Sequence, residues 1–365
     1  MDSLRHFYTE AIKEACAKGT SLRIRGQGTR DFLSFPSASE IIDTRAYQGI
    51  ITYEPEELFI TVRAGTPLVE VEETLNRKGQ HLCFEPPCWN DGGTIGGMVA
   101  AGFAGPRRML SGPLRDHLLG VRVLDGQGRN LHFGGTVIKN VAGYDVSRLF
   151  AGSWGQLGLL LEVTLKVLPK PVSCLTLAMD MDQAEALRWL RLARSRPWPL
   201  SGSLFMGSQS GRLWVRLEGG GAAVHEAVIA ICKDMPMKKI DPEEADTLWR
   251  SLKTQPHPAL SKAESETSSL WRIALPPSTP PLPLEGMTVM EWDGGLRWWL
   301  GKGDVPSINE LLSESKGWAT PFDQRYCAAR LSNSAFQSES VRSRIQSGVK
   351  SVFDPHGIFS GNPDG

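Results

Sequence analysis

The chain has little of what holds metals or crosses membranes. Its six cysteines (Cys16, Cys83, Cys88, Cys174, Cys232 and Cys327) contain no CxxC pair. The close thiolate sets that ligate an iron–sulfur cluster are therefore missing. A disulfide framework is not expected either, because the chain is large and opens without a basic segment followed by an apolar one. The seven histidines are scattered, with no HxH or HxxxH, so no protein metal site is expected. No apolar run approaches the roughly 20 residues of a membrane span. Neither sign of charge is in excess: Lys+Arg and Asp+Glu stand at 40 each and the pI is about 7.1. That balance excludes the basic surplus of a nucleic-acid or anionic-membrane binder. The expectation is a soluble cytoplasmic protein with no nucleic-acid partner and no direct membrane insertion.

Glycine, by contrast, is plentiful and unevenly spread. Residues 1–170 hold 22 of the 38 glycines, whereas residues 171–365 hold nine of the 11 tryptophans. The change falls near "LKVLPKPVS", where Pro169 and Pro171 end a strand-like run. It predicts two domains, a glycine-looped nucleotide binder over 1–170 and a more aromatic domain over 171–365. At 40.0 kDa the chain is long enough to core both.

Within the first domain, Leu4, Phe7, Tyr8, Ala11, Ile12 and Ala15 share one face of an N-terminal helix that Gly19 stops. "GIITYEP" and "LFITVRAG" read as strands. "TPLVEVEETLNRKG" reads as a helix with Thr66 at the N-cap and Pro67 in the first turn. "GVRVLDGQGRNLHFGG" reads as a hairpin turned at Asp125-Gly126, and "LGLLLEVTLKVLP" as a strand buried on both faces. In the second domain "RLWVRLEGG", "SLWRIALPP" and "GMTVMEWDGGLRWWL" read as strands of an antiparallel sheet, with helices at "DQAEALRWLRLARSR" and "SESVRSRIQSGVKSVF". A stiff Pro-rich connection spans 275–286. Strands that pair through turns rather than helical crossovers give an α+β class.

Three glycine clusters carry the chemistry. The first, Arg25-Gly26-Gln27-Gly28-Thr29-Arg30, follows a short strand. A Rossmann fingerprint needs a third glycine where Asp31 stands, so that fold is excluded. What remains is an ordinary turn or a nest of main-chain N–H groups for a pyrophosphate. The second, "NDGGTIGGMVAAGFAGPRR" (90–108), allows main chain to approach a bulky ligand, or a helix to start against a strand. The third, residues 139–169, places Gly143-Tyr144-Asp145 and Gly152-x-x-Gly155-x-x-Gly158 before the buried strand; its bland reading is a loop-and-strand corner.

Order and spacing of the three resemble the FAD-binding domain of the vanillyl-alcohol-oxidase (PCMH-type) flavoproteins. "YEPEELFITVRAGTPL", "FEPP", "TIGGMVAAG", "SGPLRDHLLGVRVLDGQG", "KNVAGYD" and "LFAGSWGQLGLLLEVTLKVLP" carry the resemblance over about residues 20–170. "LWVRLEG", "LWRIALP" and "GGLRWWL" extend it to the C-terminal domain of FAD-binding subunits of bacterial glycolate oxidases. The resemblance implies a PCMH-type domain of two α/β subdomains followed by a smaller antiparallel-sheet α+β cap. It places flavin contacts at Arg25, Gly26, Gln27, Gly28, Thr29 and Arg30, then at Thr94, Ile95, Gly96 and Gly97, and at Gly155, Gly158 and Val163 for the adenine side. Covalently flavinylated relatives carry His where Thr29 stands, and Cys88 reads as a buried or free thiol, so the FAD is expected to be non-covalent. The ending "FDPHGIFSGNPDG" departs from the family's FDPxGxFNPGR after Phe359.

The resemblance further implies flavin-dependent oxidation of a small 2-hydroxy acid, glycolate to glyoxylate. It implies two partners, a larger FAD-binding glycolate oxidase subunit and an iron–sulfur subunit that accepts the electrons, with any membrane contact made through the complex. Such chemistry needs a cation for the substrate carboxylate, and a bidentate arginine suits it. Arg216, Arg272 and Arg297 are the candidates, against their reading as cross-strand or stacking arginines among the tryptophans. Lys139 and Tyr144 are candidate charge stabilisers near the flavin ring. Because no histidine cluster is in sight, a second role stays open, that of a flavin-binding or electron-transfer partner stabilising a paralogous catalytic subunit. A reductase using NADPH is a third. The tryptophans read either as a docking face or as core.

Overall fold

A computed structural model describes residues 1–33, 40–89, 92–136, 144–254, 268–302, 305–322 and 341–360. The chain forms two compact units: 1–103 with 113–169 and 327–365, and 104–112 with 170–326. The boundary near 170 thus comes with two exchanges that the sequence did not suggest. The C-terminal helix, expected in the second domain, packs in the first unit, and a short piece of the second glycine cluster belongs to the second.

The first unit begins with α1 (Asp2–Lys18), closed by Gly19 in the left-handed region at φ 66°. Tyr8, Ile12 and Ala15 are its buried stripe, one or two turns apart; Phe7 points a quarter-turn away and is exposed, contrary to the face expected for it. β1 (Leu22–Arg25) pairs in parallel with β2 (Glu40–Asp43). β3 (Ile50–Glu54), β4 (Phe59–Arg63), α2 (Leu68–Asn76), the two-residue β5 (Gln80–His81) and α3 (Ile95–Ala101) follow. The N-cap of α2 is Pro67, not Thr66, whose hydroxyl instead donates to Arg63 O at 2.7 Å. After α4 (Arg108–Ser111), which lies in the second unit, come β6 (Leu118–Leu124), β7 (Asn130–Gly134), β8 (Leu159–Lys166) and β9 (Leu168–Pro169).

Five strands form one antiparallel sheet in the order β3-β4-β8-β6-β7. β8 sits at its centre and every residue but Glu162 and Lys166 is buried, as a doubly covered strand requires. The β6–β7 connection is wider than a two-residue turn. Asp125 organises it by accepting the N–H groups of Gln127 and Arg129 at 3.0 and 2.9 Å. The C-terminal helix Val341–Phe353 joins through Phe353, edge-on to Phe133 and Phe150.

The second unit is built on an eight-stranded sheet ordered β13-β10-β12-β11-β15-β16-β14-β17, antiparallel throughout. Its strands are β10 (Ser173–Asp182), β11 (Leu200–Gly207), β12 (Ser210–Gly219), β13 (Lys238–Lys239), β14 (Ser269–Ala274), β15 (Thr288–Glu291), β16 (Leu296–Gly301) and β17 (Trp318–Pro321). α5 (Gln183–Arg194) and α6 (Gly221–Asp234) bury their apolar stripes on the β10–β12 end, while α8 (Val305–Leu312) covers Trp271 and Trp299 at the other. α7 (Pro242–Thr254) places Trp249 against Thr176. Trp189, Trp249, Trp271, Trp292, Trp298 and Trp299 are buried and only Trp318 is largely exposed. The six buried tryptophans are core, which removes them as a docking face. Both units combine antiparallel sheets with packed helices, the α+β class that the turn-connected strands predicted.

Candidate functional site

The first glycine turn is shaped by charge. Arg23 and Arg25 leave the same face of β1, two residues apart, and both reach Asp31: Arg23 to Oδ1 at 2.6 Å and the Arg25 Nε to Oδ2 at 2.8 Å. Asp31 N–H donates to Gly28 O at 3.0 Å, closing the turn. Gly28 has φ 74°, and a Cβ there would overlap the Arg25 guanidinium and the Asp31 carboxylate. Arg25 is thus half-exposed and neutralised by an acid. As an exposed pair it contributes about 0–1 kcal/mol. Its consequence is geometric, holding the main chain of 26–30 in one concave path.

The second turn locks against the first. Thr94 is the N-cap of α3, accepting Gly97 N–H at 3.2 Å in an extended conformation. A Cβ on Gly26 would overlap that same Thr94 hydroxyl, and Gln27 Oε1 accepts the N–H of Gly93. The N–H groups of Ile95 and Gly96 do not face outward as the resemblance implied. They donate to Thr66 O at 2.9 Å and Ala64 O at 2.7 Å, fixing α3 onto β4.

Arg30 fills the space between these two turns. Its guanidinium lies 5.2 Å from the Trp89 ring and donates to Pro87 O at 3.2 Å. Nη1 comes within 3.9 Å of where a Cβ on Gly93 or Gly97 would stand. Its Nε is buried and, among the described residues, has no partner. Burial pushes the group down to about 10, so it is still a cation at neutral pH. A buried, unsatisfied donor costs about 1–3 kcal/mol. An anionic oxygen placed there removes that cost, and a diphosphate fits this donor set.

The third cluster docks on the far end of α3. Gly152 N–H donates to Val99 O at 3.0 Å and Trp154 N–H to Ala100 O at 2.9 Å. Gly102, with φ 67°, has no room for a Cβ against the Gly152 main chain. Gly155, at φ 77°, faces the Ile24 side chain of β1 at 3.5 Å from its Cβ position, and Gly158, at φ 145°, packs on the Leu124 carbonyl. α3 is therefore the hub that brings the three turns together. Val163 stands apart from them. It is fully buried in mid-β8, paired to Val62 on one side and Val121 on the other, so its main chain belongs to the sheet. Cys88 is a buried thiol that donates to Gly92 O at 3.4 Å.

Tyr144 is 95% exposed, and Lys139 lies outside the described residues. In the second unit Arg297 is 1% exposed. Its fork donates to Gly294 O at 3.1 Å, to Pro280 O at 2.7 Å and to Thr279 O, pinning the Pro-rich connection to β16. Arg216 donates to Ser201 Oγ at 3.0 Å, pairs with Glu218 at 3.2 Å and stacks on Trp249. Both are structural arginines. Arg272 is half-buried with its guanidinium carbon 5.4 Å from the Trp292 ring, which Arg108 also approaches at 4.7 Å. Burial first and then the Arg108 charge hold Arg272 down at about 10. Sequence reading missed Asp31 and Trp89 as the groups that set Arg25 and Arg30. The alternation Arg23-x-Arg25 with an acid six residues on was the available signal for the first; Trp89 had none.

Comparison with known proteins agrees with this geometry. A family model described as FAD binding domain matches residues 8–146. The chain is 38% identical over 352 residues to glycolate oxidase subunit GlcE of Escherichia coli, covering 96% of this chain and 94% of that protein. Glycolate oxidase subunit GlcD of Bacillus subtilis is 36% identical over 138 residues, 38% of this chain and 29% of that protein. A D-lactate dehydrogenase of Anaerostipes hadrus is 31% identical over 37% of this chain and 28% of that protein. Among solved structures, an alkyldihydroxyacetonephosphate synthase superposes with a TM-score of 0.67 at 13% identity, over 97% of this chain and 74% of that one, a likeness of fold.

Proposed function

The chain belongs to the glycolate oxidase GlcE family, and we propose that it is the FAD-binding subunit of a glycolate-oxidising complex. In this reading it takes part in the oxidation of glycolate, or a similar small 2-hydroxy acid, to the 2-oxo acid. A larger FAD-binding subunit and an iron–sulfur subunit, which takes the electrons, complete the complex. Bound FAD supplies a two-electron acceptor for the hydrogen on C2 of the hydroxy acid. No helix among the described residues is long and apolar enough to cross a membrane, in keeping with a cytoplasmic subunit reaching membranes only through its complex.

The observation that carries the reading is the Arg30 guanidinium between the first two glycine turns, whose buried Nε has no partner among the described residues. Gly26, Gln27, Gly28 and Thr29 offer main chain around a diphosphate. Arg30 neutralises it, and Gly93, Gly97 and Thr94 keep the facing wall free of side-chain bulk. Gly155 and Gly158 shape the adenine side. The flavin is held without a covalent bond, since Thr29 and the buried Cys88 provide no link. In the second unit Arg272, beside Arg108 on Trp292, is the cation retained for a substrate carboxylate. Lys139 and Tyr144 stay as charge stabilisers in this scheme, and unchanged flavin reduction in Lys139→Ala would remove Lys139 from it.

Absorption spectroscopy of the purified protein tests the reading. A flavin spectrum that bleaches under anaerobic glycolate is expected. A colourless protein that takes up no added FAD would overturn it. A second reading, a flavin-carrying partner of a catalytic subunit, draws support from Arg297 and Arg216, whose donors are spent on the protein itself. It predicts the flavin spectrum without bleaching, and bleaching once the larger subunit is added.

A further inference from the structure

The C-terminal segment carries a part-buried charge cluster that lies outside the arginine site. Lys350, in the last full turn of the C-terminal helix, directs its ammonium to three oxygens: Gln156 O at 2.7 Å, Phe359 O at 3.1 Å and the Asp354 carboxylate. Three acceptors use all the donors an ammonium has. Asp354 is fully buried and accepts the N–H groups of Ile358 at 3.0 Å and Phe359 at 2.8 Å as well.

Each of these contacts ends on a segment that holds a glycine turn. Phe359 bridges Leu22 in parallel. Leu22 N–H donates to Ile358 O at 2.6 Å, and Ser360 N–H to Leu22 O at 2.9 Å. The C-terminal stretch thus pairs through one parallel bridge with β1, the strand that delivers Arg25 and the first turn. Gln156 lies inside the third cluster, next to Gly155, which faces Ile24 of that same strand. One ammonium therefore ties the third turn to the strand behind the first.

We propose that Lys350 is a positioning residue for the cofactor: with Asp354 it fixes the spacing between the first and third glycine turns, and so sets how tightly the adenine-diphosphate part of FAD is held. It touches no flavin itself. The proposal rests on the reading of these turns as the FAD site. A cost follows from the arrangement: a lysine paired with a fully buried carboxylate adds little net stability. What it adds is a defined separation between two loops that also meet through α3 and through the contact of Gly155 with Ile24.

The test compares wild type with Lys350→Met, which keeps the stem and removes the charge. In the protein without cofactor, hydrogen exchange is expected to accelerate in 20–30 and 150–160 together while the five-stranded sheet keeps its protection. FAD and ADP affinity are expected to fall roughly tenfold to a hundredfold, with Lys350→Arg recovering part of the loss. Asp354→Asn should weaken binding in the same direction and carries the test if Lys350→Met does not fold. Affinity within about twofold of wild type, or exchange that accelerates equally across the whole unit, would overturn the proposal. If wild type itself binds no FAD, the reading of the site fails, while the paired exchange still decides whether Lys350 couples the two turns.

Discussion

Arg30 in the first unit and Arg297 in the second are alike in what burial does to their charge and opposite in consequence. Burial holds each guanidinium down at about 10. Arg297 spends its fork on three carbonyls, those of Gly294, Pro280 and Thr279. Arg30 makes one such bond, to Pro87, and keeps a buried Nε without a partner among the described residues. Burial alone does not mark a functional arginine. What separates these two is saturation: a cation whose donors are all satisfied by the fold has nothing left for a ligand, whereas an unsatisfied one lowers its free energy by acquiring an anion.

The sharpest way to break this contrast is to remove each side chain in turn. Arg297→Met leaves three carbonyls without donors and is expected to cost about 3–5 kcal/mol of stability, read as the urea midpoint of the transition that unfolds the second unit. FAD affinity of the folded protein should stay within about twofold. A loss of affinity without a loss of stability would reverse the roles assigned to the two arginines.

Arg30→Met should do the opposite. Loss of a charge-assisted bond of about 1.5–3 kcal/mol weakens FAD binding some tenfold to 150-fold, while the cofactor-free protein melts at the same temperature or higher, since an unsatisfied buried cation has gone. The charge also gives a pH signature. A diphosphate beside Arg30 raises its pKa above the value of about 10 in the free protein, so binding takes up a proton in that range. ADP affinity is therefore expected to be flat from pH 7 to about 9 and to fall as pH rises through 10. Arg30→Met should abolish the fall. A wild-type affinity that is still flat at pH 11 would show that Arg30 does not meet the phosphate.

The difference between the two arginines was only half visible in the sequence. The three glycine clusters announced themselves because close main-chain approach demands glycine at fixed places, and Gly28, Gly102 and Gly155 do occupy the left-handed region. Arg30 stood inside such a cluster. What made it a cation without a full set of partners, the Trp89 ring and the Pro87 carbonyl 57 residues away, has no local signature. Arg297 sat in a strand of alternating aromatics and looked as eligible as Arg272. Its partners are carbonyls of the Pro-rich connection, and a carbonyl has no residue identity to read. The same blindness hid the exchange of the C-terminal helix into the first unit. Lys350 and Asp354 are spaced as an ordinary helix pair, and the bond from the lysine to the Gln156 carbonyl, 194 residues earlier, has no local signature.

The smallest expected effect tests whether the cradle around Arg30 is one object, as the contrast requires. The Gly26 main chain lies so close to Thr94 that an added methyl would displace the threonine hydroxyl. That hydroxyl caps α3 through Gly97 N–H. Gly26→Ala should therefore loosen the cap and cost about 1–2 kcal/mol. Thr94→Ala loses the same cap directly, at about 1 kcal/mol. In the double variant the methyl of residue 26 occupies the space the hydroxyl left, so the two costs overlap and their sum falls short by about 0.5–1 kcal/mol, the sign expected for groups in contact. FAD affinity should show the same shortfall, because both substitutions disturb one wall. Strictly additive costs in stability and affinity would mean that the first two turns act independently, and that Arg30 lies in a gap between loops rather than in a site they jointly build.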